Sequence, residues 1–266
     1  MTEDKSRKPT NKDVARIAGV SVATVSYVMN GRTDQKISEE TRKKVLHAIN
    51  FLGYVPNPHA TAIKTQSSSL VVKTSLLNGA FLNLETLKLT RRLTEKCKSK
   101  DCAVFFSAET EPVRVSATAC VCIGMPREEF HAAANENFVP LIALDTVLND
   151  PVFFQITTDY NRLNKIATDK LGKNFTFATI LPNDDYLKGK ITSAFEKVFF
   201  VNRPEDLAAL PNGKIALGSS VLSDFIARTP DLIFDDYDKK IEKVIECIEK
   251  ALSRESVSDQ SHFIEV

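Results

Sequence analysis

Three short segments in the first 54 residues carry apolar positions at helical spacing. In the first, Val14, Ile17 and Ala18 form one stripe, and in the second Val25 and Val28 do the same. The third segment has four such positions on one face: Val45, Leu46, Ile49 and Leu52. Capping residues and glycines bound the segments: Thr10, Ser21 and Ser38 at the starts, and Gly19, Gly31 and Gly53 at the ends. The pattern predicts three short helices around one small core.

From residue 70 onward, short apolar runs alternate with amphipathic segments. The predicted strands are Leu70–Leu77, Ala103–Ala108, Thr118–Ile123, Leu141–Leu144, Phe153–Thr157 and Phe175–Leu181. The predicted helices are Phe81–Lys98, Arg127–Asn137, Tyr160–Leu171, Leu187–Val198 and Asp238–Leu252. Because strands that alternate with helices form parallel sheets covered on both faces, we expect an α/β body. Residues 55–69, with two prolines and a run of serines, predict a linker before this body.

The composition fits one large folded domain or two smaller ones, with 266 residues, 43% hydrophobic and 26% charged. Such a chain is too hydrophobic to be disordered. No apolar run approaches the roughly 18 residues of a membrane helix. The charged segment Met1–Lys8 lacks the apolar stretch of a secretory signal. We therefore expect a cytoplasmic protein with no membrane partner.

The formal net charge of +1 conceals an uneven distribution. Residues 1–66 hold eleven basic and six acidic residues, whereas the remaining 200 hold 24 basic and 28 acidic residues. A basic head on an acidic body indicates that the head meets a polyanion. A chance fluctuation in charge is the alternative.

The sequence offers little material for catalysis or metal binding. Cys120 and Cys122 alternate with apolar residues in a predicted strand, which indicates buried reduced thiols. The C-x-C and C-x4-C pairs have no histidines at ligand spacing, so they do not indicate a zinc site. The phosphate-loop, dinucleotide, metalloprotease and nucleophile-elbow motifs are all missing. We predict no enzymatic activity, no catalytic residues, no cofactor and no metal.

The turn Ala18–Ser21 joins the first two predicted helices at the spacing of a helix-turn-helix, whose second helix enters the DNA major groove. In that helix Val22 can contact a thymine methyl group, and Ala23 is small enough for close approach. Thr24 and Ser26 can donate to phosphates or base edges. Basic side chains near the phosphate backbone would make the affinity salt-dependent: Lys12, Arg16, Arg32 and Lys36.

The run Asn11–Ser26, together with Ser38–Arg42 and Leu52–Asn57, closely resembles the head of the LacI/GalR family of bacterial repressors. The resemblance implies that Val22, Ala23 and Tyr27 read bases. Tyr27 replaces a frequent arginine, so a bidentate contact to guanine is lost. Its hydroxyl can still form a hydrogen bond to a base or a phosphate. In the alternative interpretation, the ring packs against its own helix. Phosphate-contact positions match Asn30, Ser38, Thr41, Tyr54 and Asn57. The remaining predicted DNA-binding residues of the head are Asn11, Lys12, Ser21, Thr24 and Ser26.

Residues 58–64 correspond to the family's hinge helix, which orders on cognate DNA and inserts an apolar wedge into the minor groove. Ala60 and Ile63 are the predicted contacts here. The wedge is usually leucine; Ile63 is stiffer and shorter in reach, so insertion would be shallower. Thr61 stands where an arginine is often found. A plain flexible tether is the alternative.

The resemblance further implies a body like a periplasmic binding protein, with an effector between two lobes. The expected domains are a head at 1–54, a hinge and linker at 55–69, and a body at 70–266. Within the body we expect lobes at about 70–158 and 159–236 and a C-terminal helix and tail at 237–266. The second lobe is reduced, with at least one strand-helix unit of the family plan missing or truncated.

Two residues match the family's effector-binding positions. Lys188 takes the place of an effector-holding arginine, without its planar fork. Asp235 lies where an effector-facing aspartate is expected, although a solvated turn at Asp235 and Asp236 explains these residues equally simply.

The sequence thus predicts a DNA-binding transcription regulator, a repressor that binds a pseudo-palindromic operator in double-stranded DNA as a homodimer. A carbohydrate or related metabolite would modulate it. One alternative keeps the DNA-binding head but makes the body a platform for dimerisation and a protein co-regulator, with no small-molecule effector. Another is an intracellular small-molecule-binding protein with a vestigial head.

Overall fold

The computed structural model describes residues 9–29, 37–52, 68–107, 117–137, 139–253 and 262–266. Its head contains the three predicted helices: α1 (Asn11–Ala18), α2 (Val22–Met29) and α3 (Glu39–Phe51). They pack on one small apolar core, which consists of Val14, Ala15, Ala18, Val25, Val28, Val45, Ala48 and Ile49. The predictions of three short helices and a single shared core are confirmed.

Local capping fixes where the head helices begin and end. The Asp13 carboxylate accepts hydrogen bonds from the Thr10 backbone N–H at 2.8 Å and from the Thr10 hydroxyl at 2.6 Å. Gly19 ends α1 with a φ of +65°, a left-handed conformation that favours glycine. Ser38 caps α3 by accepting from the Thr41 N–H at 3.2 Å. These contacts span three residues or fewer, which is why the sequence pattern identified them.

Lobe 1 comprises residues 68–157 and 237–266 and is built on a parallel six-stranded sheet in the order β10-β5-β4-β3-β1-β2. Its strands are β1 (Ser68–Thr74), β2 (Cys102–Ser107), β3 (Ala119–Ile123), β4 (Leu141–Leu144), β5 (Phe154–Thr157) and β10 (Phe263–Glu265). Helices α4 (Ala80–Lys98) and α9 (Tyr237–Ser253) cover one face, and α5 (Arg127–Glu136) covers the other. Cys120 and Cys122 are fully buried free thiols, as predicted.

Lobe 2 comprises residues 160–233 and has a parallel four-stranded sheet in the order β7-β6-β8-β9. Its strands are β6 (Phe175–Ile180), β7 (Val198–Val201), β8 (Lys214–Leu217) and β9 (Leu232–Ile233). Its helices are α6 (Tyr160–Leu171), α7 (Asp185–Ala194), a 3-10 helix (Pro204–Ala209) and the short α8 (Ser220–Ser223). Parallel sheets with flanking helices confirm the predicted α/β fold class.

Several elements of the body differ from the sequence prediction. The helix predicted at Leu187–Val198 ends at Ala194, because Val198 begins β7 and pairs with Phe177 of β6. Strand β10 returns from the predicted tail to pair with β5 at the sheet edge. Val198 was assigned to a helix, so β7 was not predicted, and neither β8 nor β10 was predicted as a strand. Among the described residues no helix is long and apolar enough to cross a membrane.

Candidate nucleic-acid interface and interlobe cleft

The N-terminal turn of α2 presents a small apolar surface to solvent. Val22 is 42% exposed and Ala23 is also exposed, whereas Val25 and Val28 face the core. Ser21 accepts a hydrogen bond from the Thr24 N–H at 3.0 Å, and the two hydroxyl oxygens lie 2.8 Å apart. This cap leaves the base-reading positions accessible, and it holds the Ser21 and Thr24 hydroxyls where a groove-binding helix meets DNA.

Polar and basic groups surround this turn. Lys12 and Arg16 are exposed on α1, and Asn11 is half-buried. At the start of α3 the Ser38 and Thr41 hydroxyl oxygens lie 2.8 Å apart in an exposed position. A helix N-terminus with exposed hydroxyls and nearby cations is a suitable environment for a phosphate group.

The remaining predicted DNA contacts differ in their exposure. Ser26 and Tyr27 are half-buried in α2, and each makes an interaction within the chain. Five predicted contacts lie outside the described residues: Asn30, Tyr54, Asn57, Ala60 and Ile63. For these five the DNA-contact role stays a prediction.

In the body, the first turn of α4 in lobe 1 reaches into lobe 2. Phe81 and Leu82 belong to the apolar core of lobe 2, and Phe81 meets Phe225 edge-to-face with ring centroids 5.3 Å apart. Just before this turn, a Cβ atom on Gly79 would lie 2.6 Å from the Asn202 side-chain oxygen. A larger residue at this position would have to displace the Asn202 side chain, which shows how closely the two lobes meet.

A buried ion cluster lies where the connecting segments pass between the lobes. The Lys240 ammonium in α9 lies 2.8 Å from one Asp145 carboxylate oxygen and 3.5 Å from Asp236. The Thr158 hydroxyl donates to the other oxygen of Asp236 at 2.5 Å. Asp145 also has a φ of +57°, an uncommon conformation for a residue other than glycine. Three segments, at Asp145, at Thr158 and at 236–240, therefore meet in this cluster.

A second set of polar contacts adjoins this cluster. The Tyr237 hydroxyl donates to Glu85 of α4 at 3.0 Å and lies 2.8 Å from the Ser219 hydroxyl of lobe 2. Burial raises the pKa of Glu85 to about 7, with Lys240 acting in the opposite direction. Burial likewise raises the pKa of Asp145 despite the adjacent Lys240. Burial opposes the charge on Lys240, but Asp145 and Asp236 outweigh it and raise the Lys240 pKa, so Lys240 stays protonated.

The space left between the lobes is a cavity of only about 40 Å³. Its polar lining includes Glu85, Asp145, Thr158 and Lys240. Pockets for small molecules typically measure about 300–1,000 Å³. The cleft in this closed arrangement therefore has room for a few water molecules and not for a sugar.

The two predicted effector-binding residues do not line this cavity, and their role in effector binding stays a prediction. Lys188 is exposed, with its ammonium 5.7 Å from the centre of the Phe200 ring. Asp235 is exposed and accepts from the Ser220 hydroxyl at 2.9 Å. Its neighbour Asp236 enters the buried cluster instead, because α9 begins one residue later and turns the chain inward.

Sequence reasoning missed Glu85, Tyr237 and Lys240 as cleft residues. One signal was available for Lys240, which lies three residues after Tyr237 and directly before Ile241 on the apolar face of α9. A basic residue on a buried helix face requires an acidic partner nearby. Among the described residues no group of acidic, histidine or cysteine side chains is arranged to hold a metal ion.

Comparison with known proteins identifies the head most clearly. Residues 10–57 match the family model for bacterial regulatory proteins of the lacI family. Over 60 residues the chain is 53% identical to the HTH-type transcriptional regulator RegA of Clostridium saccharobutylicum, covering 23% of this chain and 18% of RegA. It is 46% identical over 61 residues to the Sucrose operon repressor of Vibrio alginolyticus, covering 23% of this chain and 63% of that protein. The matches thus span less than two thirds of either relative.

The body is compared through its fold. The crystal structure of the Lac repressor dimer bound to operator and the anti-inducer ONPF superposes with a TM-score of 0.52 at 15% identity, covering 98% of this chain and 96% of that one. At this identity the likeness shows the fold alone, a small helical head followed by a two-lobed α/β body. The matched head and this shared fold agree with the resemblance seen in the sequence: residues 10–57 are similar to the LacI family of bacterial regulatory proteins, and the body shares the fold of the Lac repressor.

Proposed function

We propose that this protein is a cytoplasmic, sequence-specific DNA-binding repressor that acts as a homodimer on a pseudo-palindromic operator. The observation that carries the proposal is the exposed first turn of α2, where Val22 and Ala23 face solvent beside the Ser21 cap. A homodimer would place one such helix on each half-site. The Sucrose operon repressor and the operator-bound Lac repressor dimer, similar in head and fold respectively, support this proposal.

The direct test is selection of binding sites from a random duplex library with the full chain, followed by binding measurements at several salt concentrations. We expect an enriched site with two inverted half-sites and an affinity that falls steeply as salt rises. Enrichment of no site, or binding equal to that of scrambled DNA, would refute the proposal.

Replacement of Lys12 by alanine is expected to weaken binding to all DNA sequences alike. The ammonium is exposed on α1 beside the first turn of α2, where it can neutralise a phosphate without contacting a base. Loss of one phosphate contact should flatten the slope of log affinity against log salt by about one. Lys165→Ala, at an exposed position of α6 in lobe 2, is the matched control and should leave the slope unchanged. A changed half-site preference in Lys12→Ala would contradict the role of Lys12 as a phosphate contact.

The dimer proposal is supported by apolar side chains at one side of lobe 1. Leu77 is 80% exposed and Leu87 is 63% exposed around α4, and Phe106 is 55% exposed on the edge strand β2. No strand among the described residues pairs with the outer side of β2, and exposed apolar groups beside such an edge are typical of a protein interface. A second copy of the chain is the occupant that we propose.

Replacement of Leu87 by glutamate is therefore expected to convert the dimer to a monomer, because a charge would be buried in the interface. Light scattering coupled to gel filtration would detect the change, and operator affinity should fall together with dimerisation. Asn161→Glu, which makes the same charge change of −1 at an exposed position of α6, should remain dimeric. A dimeric Leu87→Glu protein would exclude this face as the interface.

The closed cleft favours a second candidate for regulation, a body without a carbohydrate effector. A 40 Å³ cavity cannot hold a sugar unless the lobes separate. A thermal-shift screen with sugars, sugar phosphates and nucleobases distinguishes the two candidates. Saturable stabilisation by one of these compounds would support an effector-regulated body, and its absence would support the platform alternative.

A further inference from the structure

The chain itself occupies the space between its two lobes. Helix α4 inserts its first turn into lobe 2, and α9 places an ammonium group beside the segments that connect the lobes. Both groups belong to helices of lobe 1, so the cleft is filled from the lobe 1 side.

The apolar side chain that α4 inserts into lobe 2 is as deeply buried as a residue of a domain core. Phe81 is 1% exposed and packs with Ile180, Val201 and Leu217 of lobe 2. Separation of the lobes would expose this ring and the lobe 2 residues around it to water. Because burial of an aromatic side chain is among the larger single contributions to folding, Phe81 favours the closed arrangement.

Hydrogen bonds and a ring contact join the lobes around this insertion. The contacts between them include the Val147 N–H to the Asp184 carboxylate at 2.6 Å, Lys88 to the Ser220 hydroxyl at 2.6 Å, Tyr237 to Ser219 at 2.8 Å, and the Arg127 guanidinium over the Tyr186 ring at 3.8 Å. Asp184 and Ser219 are buried and also cap α7 and α8. Opening would leave these caps with fewer partners, which adds to the preference for closure.

The polar centre of the cleft is also satisfied from within. A hydroxyl-rich ligand would donate hydrogen bonds to the carboxylates of Asp145 and Asp236. The Lys240 ammonium already pairs with both carboxylates, and the Thr158 hydroxyl already donates to Asp236. The Lys240 side chain is only 5% exposed. A ligand would have to displace a buried ammonium from two carboxylates, which is costly unless the ligand brings a cation of its own.

We propose that Phe81 and Lys240 are built-in occupants of the cleft that exclude carbohydrate-sized ligands and hold the lobes closed without an effector. The regulatory meaning of this inference rests on the proposed DNA-binding function, because a permanently closed body keeps the head in one state. Phe81 acts as the apolar occupant, and Lys240 acts as a positioning residue that fixes Asp145 and Asp236.

Hydrogen–deuterium exchange of the full chain tests this proposal. We compare the wild type with Phe81→Ala, Phe81→Leu and Lys240→Met; Lys239→Met changes an exposed neighbour and is the matched control. In the wild type we expect residues 79–86 and 219–222 to be protected, and fructose, sucrose and cellobiose to change nothing. Phe81→Ala and Lys240→Met should speed exchange in these two segments by about tenfold or more, with Phe81→Leu in between. Exchange in α5, on the opposite face of lobe 1, should stay unchanged.

Several results of the exchange experiment would overturn the proposal. Saturable protection of the wild-type cleft by a sugar would overturn the proposal, as would wild-type exchange rates in Phe81→Ala and Lys240→Met. Faster exchange throughout the chain would show that these residues stabilise the whole fold and not closure, which also overturns it. Should Lys240→Met fail to fold, the graded effect of the two Phe81 variants decides the matter. Operator binding by the wild type is measured in parallel; its absence would refute the proposed function while the exchange data still decide the state of the cleft.

Discussion

Replacement of Ala23 by aspartate is expected to abolish specific operator binding without unfolding the head. Ala23 is exposed in the first turn of α2, so the new carboxylate meets no buried group in the free protein. In a complex it would face base edges and phosphates, where a negative charge is repelled and desolvated. We expect the affinity for the selected site to fall by about a thousandfold or more, which is the usual separation between specific and non-specific binding.

The measurement is a fluorescence anisotropy titration of the labelled selected site at fixed salt, together with thermal unfolding. The matched control is His47→Asp, which adds the same charge at an exposed position of α3. We expect the control to lose far less affinity, since it is not among the predicted DNA contacts. The unfolding temperature of both variants should stay close to that of the wild type, because exposed substitutions usually change stability by about 0.5 kcal/mol or less. Equal losses in the two variants would show that α2 is not the reading helix.

Replacement of Glu85 by glutamine is expected to remove a pH dependence from the stability of the body. Burial raises the pKa of Glu85 from 4.5 to about 7, while the unfolded chain retains the ordinary value. Between these pH values the native state holds a proton that the unfolded state has released, so the wild type loses stability as pH rises through this interval. With 1.36 kcal/mol per pKa unit, the loss from this group amounts to about 3 kcal/mol.

The expected result is that Glu85→Gln matches the wild type most closely near pH 4.5 and gains on it progressively up to pH 8. Glutamine can still accept the hydrogen bond from Tyr237, and its neighbours Asp145, Asp236 and Lys240 are common to both proteins. Urea unfolding at a series of pH values measures the difference. Glu95→Gln, at an exposed position of the same helix, is the control and should run parallel to the wild type. A constant gap between Glu85→Gln and wild type at all pH values would show that Glu85 keeps its ordinary pKa in the folded protein.

The head shows how far local signals reach. Thr10, Gly19, Ser21 and Ser38 each act on backbone groups within a few positions, so their effects are readable in any short window of sequence. The apolar spacing of α1 to α3 then identifies the core face of each helix. The same short window carried the family resemblance, which the match over residues 10–57 confirms.

The body shows where such reasoning ends. The long helices α4, α6 and α9 were predicted nearly to their ends, because each shows several turns of one apolar face. Strands β7, β8 and β10 were not predicted as strands, whereas the equally short β4 and β5 lie within longer apolar runs and were predicted. Lys188 and Asp235 were predicted from family positions; neither lines the cavity, and their role in effector binding stays a prediction.

The sequence by itself determined the three helices of the head, the turn between its first two helices and the parallel α/β class of the body, because caps, turns and helical periodicity depend on neighbours a few residues apart. Only the tertiary structure decided what fills the cleft. Lys240 and Asp145 lie 95 positions apart, and Tyr237 and Glu85 lie 152 positions apart. Chain crossovers bring these pairs together, and the low polarity of the closed interior makes their charges interact strongly. No local pattern encodes such a meeting, so the occupancy of the cleft follows from the packing of the two lobes.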